Sequence, residues 1–145
     1  MRLALNAAAC AAQKGEVPVG AVVTDSTGTV LSVAANEVEA AQNPLFHAEF
    51  LALSAAHAAR GQKYLSDCTL TVTLEPCALC AGAIAAFRVG TVMFGAYDPK
   101  TGALEHGPRL FSHATTHHKP EIIGGLYEQD CARLLTDFFR AKRDA

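Results

Sequence analysis

The chain has 145 residues, 50% of them hydrophobic, and carries 12 Lys and Arg against 14 Asp and Glu for a formal net charge of −2. This length and apolar content predict one domain over residues 1–145 that buries its own core without disulfide staples. The charge excludes a broad basic face for nucleic acid, and no apolar run nears the roughly 20 residues that cross a bilayer.

Residues 2–14 read as an alanine-rich helix, and Gly15 behind Gln13-Lys14 reads as a helix stop rather than a leader cleavage site. The expectation is therefore a soluble cytoplasmic protein with no membrane partner. Val19–Thr24 is a strand of β-branched residues, Asp25–Gly28 a turn and Thr29–Ala34 a second strand, together an antiparallel hairpin. Residues 36–45 are polar, contain Pro44 and read as a loop leading into a helix from about Phe46 to Arg60, stopped by Gly61.

Thr69–Leu74 is a strand, and Cys77–Arg88 an apolar helix with Pro76 at its first position and Gly90 at its end. Thr91–Gly95 is a further strand, 97–120 a long loop, 121–127 a last strand and 128–142 a last helix. Strands alternating with helices predict an α/β domain that opens on a hairpin and continues with a parallel portion.

Five cysteines, two of them in a Cys-x-x-Cys pair, favour metal or redox chemistry over a disulfide framework, and leave three thiols expected to be buried. Cys77 and Cys80, at i and i+3, share one helix face at a helix start, where the dipole favours thiolate. Alone, the pair is equally a redox or half-zinc motif. His47-Ala48-Glu49 at the preceding helix start changes that reading. Two thiolates and one neutral imidazole neutralise a zinc ion and leave one tetrahedral position open, the pattern of a catalytic site. Zinc lowers the pKa of a bound water from 15.7 to about 7. Glu49, two residues from the histidine, is placed to move protons without coordinating. His-x-Glu followed by Pro-Cys-x-x-Cys is the signature of zinc deaminases.

Further matching residues are Glu16–Val22, Asn36, Val72–Cys77, Cys80–Ala83, Gly95-Ala96, Asp98–Ala103 and Asp137–Arg140. On these, residues 15–143 resemble the cytidine and deoxycytidylate deaminase superfamily, and within it the bacterial tRNA-specific adenosine deaminases. The resemblance implies a three-layer α/β/α domain around a mixed sheet of about five strands, one Zn2+ per subunit and a homodimer. The implied reaction is hydrolytic conversion of adenosine to inosine at the wobble position of tRNA, with His47, Cys77 and Cys80 on the metal and Glu49 as proton shuttle.

The resemblance further implies that Asn36 hydrogen-bonds the flipped base, Val17 and Leu74 line its pocket and Asp98 faces the neighbouring nucleotide. Phe138 and Phe139, with Lys142 and Arg143, would meet the anticodon loop. From residue type alone, Asn36 and Asp98 are equally turn residues, and Val17, Leu74 and Phe138 core residues. Phe46 stands where the family has a smaller residue, and Tyr97 where it has arginine. Both motivate a second reading, a deaminase of free nucleobases or nucleosides such as guanine or cytosine. His106, His113, His117 and His118 read as a surface cluster, and the apolar helix from Cys77 has room to bury surface within the subunit or against a partner.

Overall fold

The computed structural model describes residues 1–145. In chain order the elements are α1 (Arg2–Gln13), β1 (Gly20–Thr24), β2 (Val30–Ala35), α2 (Val38–Ala41), α3 (Ala48–Arg60), β3 (Thr69–Leu74), α4 (Ala78–Phe87), β4 (Thr91–Ala96), β5 (Glu121–Ile123) and α5 (Glu128–Asp144). The strands form a single five-stranded sheet in the order β2-β1-β3-β4-β5. β1 lies antiparallel to both β2 and β3, whereas β3 and β4, and β4 and β5, are parallel. Two-residue turns cannot join parallel strands, so α4 makes the crossover from β3 to β4.

Helices cover both faces. α1 and α5 touch each other and the sheet on one side, and α3 and α4 touch each other on the opposite side. Leu70 and Val72 of β3 and their partners Val92 and Phe94 of β4 share one face of the sheet and are fully buried, whereas the other face of β3 carries Thr69, Thr71 and Thr73. The architecture is the expected three-layer one with a mixed sheet of five strands.

Small residues set the spacing of the layers. α1 turns Ala4, Ala8 and Ala11 inward at helical intervals, and a Cβ on Gly20 of β1 would collide with the backbone carbonyl of Ala4. Cys10 falls on the opposite face of α1 and is exposed, unlike the expected buried thiol; Cys68 and Cys131 are buried.

Four boundaries differ from the sequence reading. The loop 36–45 contains α2, anchored by Glu16, whose carboxylate accepts the amides of Glu39 at 3.0 Å and Ala40 at 2.8 Å. Cys77, not Pro76, is the residue that precedes the first helical position of α4. That helix ends at Arg88, in the left-handed region at φ 55°, and does not reach Gly90. β5 stops at Ile123 because the chain turns at Gly124-Gly125, after which the Leu126 amide reaches back to the Phe94 carbonyl at 3.1 Å.

Gly20→Ala is expected to push α1 off the sheet and lower stability by about 2–3 kcal/mol, the scale of overpacking in a closed core. A shift of the urea unfolding midpoint checks this.

Candidate active site

Three chain segments end at one point. β3 delivers the chain to Glu75-Pro76, α4 begins behind Cys77, and α3 begins behind His47. Both flanking residues hold extended backbone, His47 at φ −70°, ψ 151° and Cys77 at φ −76°, ψ 178°, and neither caps its helix through its side chain. Histidine and cysteine are poor choices for this position, where Ser, Thr, Asp and Asn satisfy the first amides. Their side chains instead turn toward each other.

His47 Nδ1 lies 3.6 Å from Cys77 Sγ and 3.5 Å from Cys80 Sγ. All three donor atoms fall within 4.8 Å of one another, and Glu49 is not part of the set. Zinc bonds of about 2.3 Å to sulfur and about 2.0 Å to nitrogen, opened to the tetrahedral angle, separate N from S by about 3.5 Å. The spacing of the cluster therefore fits one zinc ion.

The charge state fits as well. The hydrogen bond from the Cys80 thiol, working against burial, lowers Cys77 to about 5. The same hydrogen bond, followed by burial, pushes Cys80 up. The pair thus shares one proton, and a divalent cation in that place would leave two thiolates facing an imidazole.

Glu49 occupies the second position of α3 and is 5% exposed. Burial raises its pKa most, its own backbone amide opposes this, and the neighbouring Cys77 raises it again. Burial favours the neutral form and a divalent cation beside it would favour the carboxylate, so Glu49 is placed to change protonation state.

A cavity of about 270 Å³ is lined by His47, Glu49 and Cys77 together with Val17, Asn36, Leu74 and Asp98. Asn36 is doubly engaged: its Nδ2 donates to the Val17 carbonyl at 3.1 Å, and its Oδ1 accepts the first amide of α3, from Ala48, at 2.8 Å. One amide hydrogen remains for a ligand. Asp98 organises a turn, accepting the amides of Lys100 and Thr101, both at 3.1 Å, and the Thr101 hydroxyl at 2.6 Å. The bare turn reading of Asp98 is thus realised at a residue that also lines the cavity.

A wider cavity of about 800 Å³ adjoins the first, sharing Val17, Leu74, Asp98, Thr101 and Lys142 and adding Tyr97, Lys100, Phe139 and Arg143. Phe139 is 45% exposed there. Phe138 lines neither cavity; its half-buried ring stands edge-on to Phe139 at 5.3 Å with Lys142 Nζ 5.2 Å from its centroid. Phe46 also lines neither, so its bulk does not narrow the pocket.

Thr101 and Glu75 fall in segments that carry the resemblance but receive no role from the sequence. Burial pushes the Glu75 carboxyl up, but amides of Asp98, Glu105 and Leu104 and the His106 imidazole hold it below the usual glutamate value. No local pattern announces such a residue, because its partners lie 23 to 31 positions away. His113 and His118 donate to the carbonyls of Pro108 and Val89, both at 2.6 Å, and no second metal-binding cluster forms.

The family model for the cytidine and deoxycytidylate deaminase zinc-binding region matches residues 1–96. A tRNA-specific adenosine deaminase of Rickettsia bellii (strain RML369-C) is 43% identical over 99% of this chain and 100% of the relative. A structure solved in studies of A-to-I editing by tRNA:A34 deaminases at the wobble position of transfer RNA superposes with a TM-score of 0.90 at 41% identity, over 93% of this chain and 97% of that one. A guanine deaminase from Nitrosomonas europaea shares the fold alone, at a TM-score of 0.80 and 21% identity, over 93% and 80% of the two chains.

Elemental analysis of the purified protein is expected to find one zinc per chain. Cys80→Ser should lose most of it and Cys68→Ser should keep it; equal retention in both would exclude this cluster as the site.

Proposed function

Because the chain belongs to the cytidine and deoxycytidylate deaminase family, we propose that it deaminates adenosine to inosine at the wobble position of a tRNA, as one domain acting in the cytoplasm. The observation that carries the chemistry is the convergence of His47, Cys77 and Cys80 beside buried Glu49 at a cavity wall. Similarity to a tRNA-specific adenosine deaminase, 43% identical over 99% of the chain, supports the substrate. So does the shape of the site: a chamber suited to one base opens into a groove bearing Tyr97, Phe139, Lys100, Lys142 and Arg143. Aromatic faces stack unpaired bases and cations neutralise phosphates. The alternative reading, deamination of free guanine or cytosine, gives that groove no task, and Phe46 and Tyr97, which motivated it, both lie off the inner chamber.

His47, Cys77 and Cys80 would hold the zinc, which when bound supplies a water acidic enough to ionise near neutral pH. Val17 and Leu74 present apolar walls that keep bulk solvent from the base. The free amide hydrogen of Asn36 is held at a fixed angle by its two other bonds and can read a base acceptor. Glu49 would relay both protons of the attacking water, one to the ring nitrogen beside the reacting carbon and one to the departing amine. The carbon–nitrogen bond breaks, a carbon–oxygen bond replaces it, and ammonia leaves. Asp98 keeps the wall of the chamber in shape, and Phe138 backs Phe139 where the anticodon loop would lie.

We further place the protein in a homodimer formed through α4. Every residue of that helix except Cys80 and Gly82 is a plain hydrocarbon, yet Ala78, Leu79, Gly82 and Ala86 face outward, Leu79 with 40% of its surface exposed. A helix apolar on all sides is ordinarily buried on all sides.

The zinc-loaded protein should convert wobble adenosine in an anticodon stem-loop to inosine, read by mass spectrometry, and ammonia release from free guanine or adenosine without activity on the stem-loop would overturn the substrate. Glu49→Ala should cost about 10³-fold in rate while retaining zinc. Light scattering should report twice the chain mass for the protein and a single chain for Leu79→Glu.

A further inference from the structure

The Glu75 side chain is fully buried, and it is the only carboxylate here with five donors. Its Oε1 accepts the Asp98 amide at 3.0 Å and His106 Nδ1 at 2.8 Å. Its Oε2 accepts the amides of Leu104 at 3.2 Å, Glu105 at 2.9 Å and His106 at 3.1 Å. These donors come from both ends of residues 98–106, so one side chain closes the whole segment into a loop. A buried charge is tolerated only when its lone pairs are filled, and here they are.

That loop is also fastened to the turn carrying Cys77. Gly102 bridges to Cys77, and the Ala103 amide donates to the Pro76 carbonyl at 2.9 Å. The fit leaves no space: a Cβ on Gly102 would lie 2.6 Å from Glu75 Oε2 and 2.5 Å from the Asp98 carbonyl. Asp98 and Thr101 of the same loop wall both cavities.

His106 contributes the single side-chain donor among the five. Its other contact is with Tyr97, ring centroids 6.0 Å apart and planes at 75°, and Tyr97 in turn stands edge-on to Phe94 at 5.1 Å. Tyr97 lines the outer cavity and is 40% exposed. A chain of contacts thus runs from the carboxylate beside the Cys77 turn, through His106, to an aromatic face in the groove.

We infer that Glu75 and His106 are positioning residues: the pair clamps the 98–106 loop and holds Tyr97 upright, and so sets how tightly the nucleotides flanking the reacting base are gripped. Neither lines the chamber that holds His47, Glu49 and Cys77, and the loop they clamp reaches it only through Asp98 and Thr101, so loosening the clamp falls on grip more than on the chemical step. This inference rests on the polynucleotide reading above.

The test uses the zinc-loaded protein and an anticodon stem-loop. His106→Ala is expected to raise KM about tenfold, the scale of one lost hydrogen bond to a charged group, with kcat within about twofold and zinc content unchanged. His106→Asn, whose amide nitrogen can stand where Nδ1 does but which has no ring for Tyr97, should bring KM most but not all of the way back. A fall in kcat at constant KM, no change in either, or failure of Asn to rescue would overturn the assignment. Hydrogen exchange separates this from the substrate reading: amides of Leu104, Glu105 and His106 should exchange faster in His106→Ala and recover in His106→Asn. If the unaltered protein ignores the stem-loop, the substrate reading fails while exchange still judges the clamp; unchanged exchange would remove the clamp whatever the substrate.

Discussion

Two helices must begin at the same point in space for three donor atoms to meet, and most of the topology follows from that requirement. α3 starts at the site and runs away from it, β3 brings the chain back, and α4 starts at the site again. The two helices therefore run side by side on one face of the sheet with their positive ends together. Like dipole ends repel, so the arrangement asks for negative charge at the junction. The thiolate of the cysteine pair and the carboxyl of Glu49 stand at that junction.

The close approach depends on small side chains. α3 buries Ala48, Ala52 and Ala56, and α4 buries Ala81, so α3 lies close on the sheet and α4 packs beside α3. Larger residues would set the helix axes farther apart, since interaxial distance follows the side chains at the contact. Alanine at these positions also carries the highest helix propensity, which offsets the loss of a proper cap at His47 and Cys77. Local stability is given up at the two residues where chemistry needs the side chain elsewhere, and neighbouring positions make it good.

How far the sequence could be read depends on the range of the interactions. His47 with Glu49 and Cys77 with Cys80 were legible because each pair lies within one helical turn and at a helix start. The meeting of the two pairs came from the signature and not from spacing. Val17, Asn36, Leu74 and Asp98 were placed by resemblance, and the structure gathers all four on one cavity wall; Phe138 it turns away. What stayed hidden were long-range hydrogen bonds. α2 depends on Glu16, more than twenty positions upstream of its partners. Glu75 lies in a segment that carries the resemblance, yet sequence alone assigns it no role, because its partners are 23 to 31 positions away. The sequence reading ends α4 at Arg88 but assigns the stop to Gly90, because a left-handed arginine breaks the usual preference for glycine.

The charge distribution resolves an apparent conflict between a net charge of −2 and the proposed polyanionic substrate. Lys142 and Arg143 sit in the last turn of α5, where the negative end of the helix dipole stabilises cations. Lys100 reaches the same groove from the 98–101 turn. Affinity for RNA backbone depends on the phosphates neutralised locally, not on the total charge of the protein. A short basic rim around an aromatic groove is suited to a few nucleotides of a single strand and would do little for duplex at large. Selectivity then passes to the shape of the chamber and to the loop beside it, where an exposed loop nucleotide can turn inward and a paired one cannot.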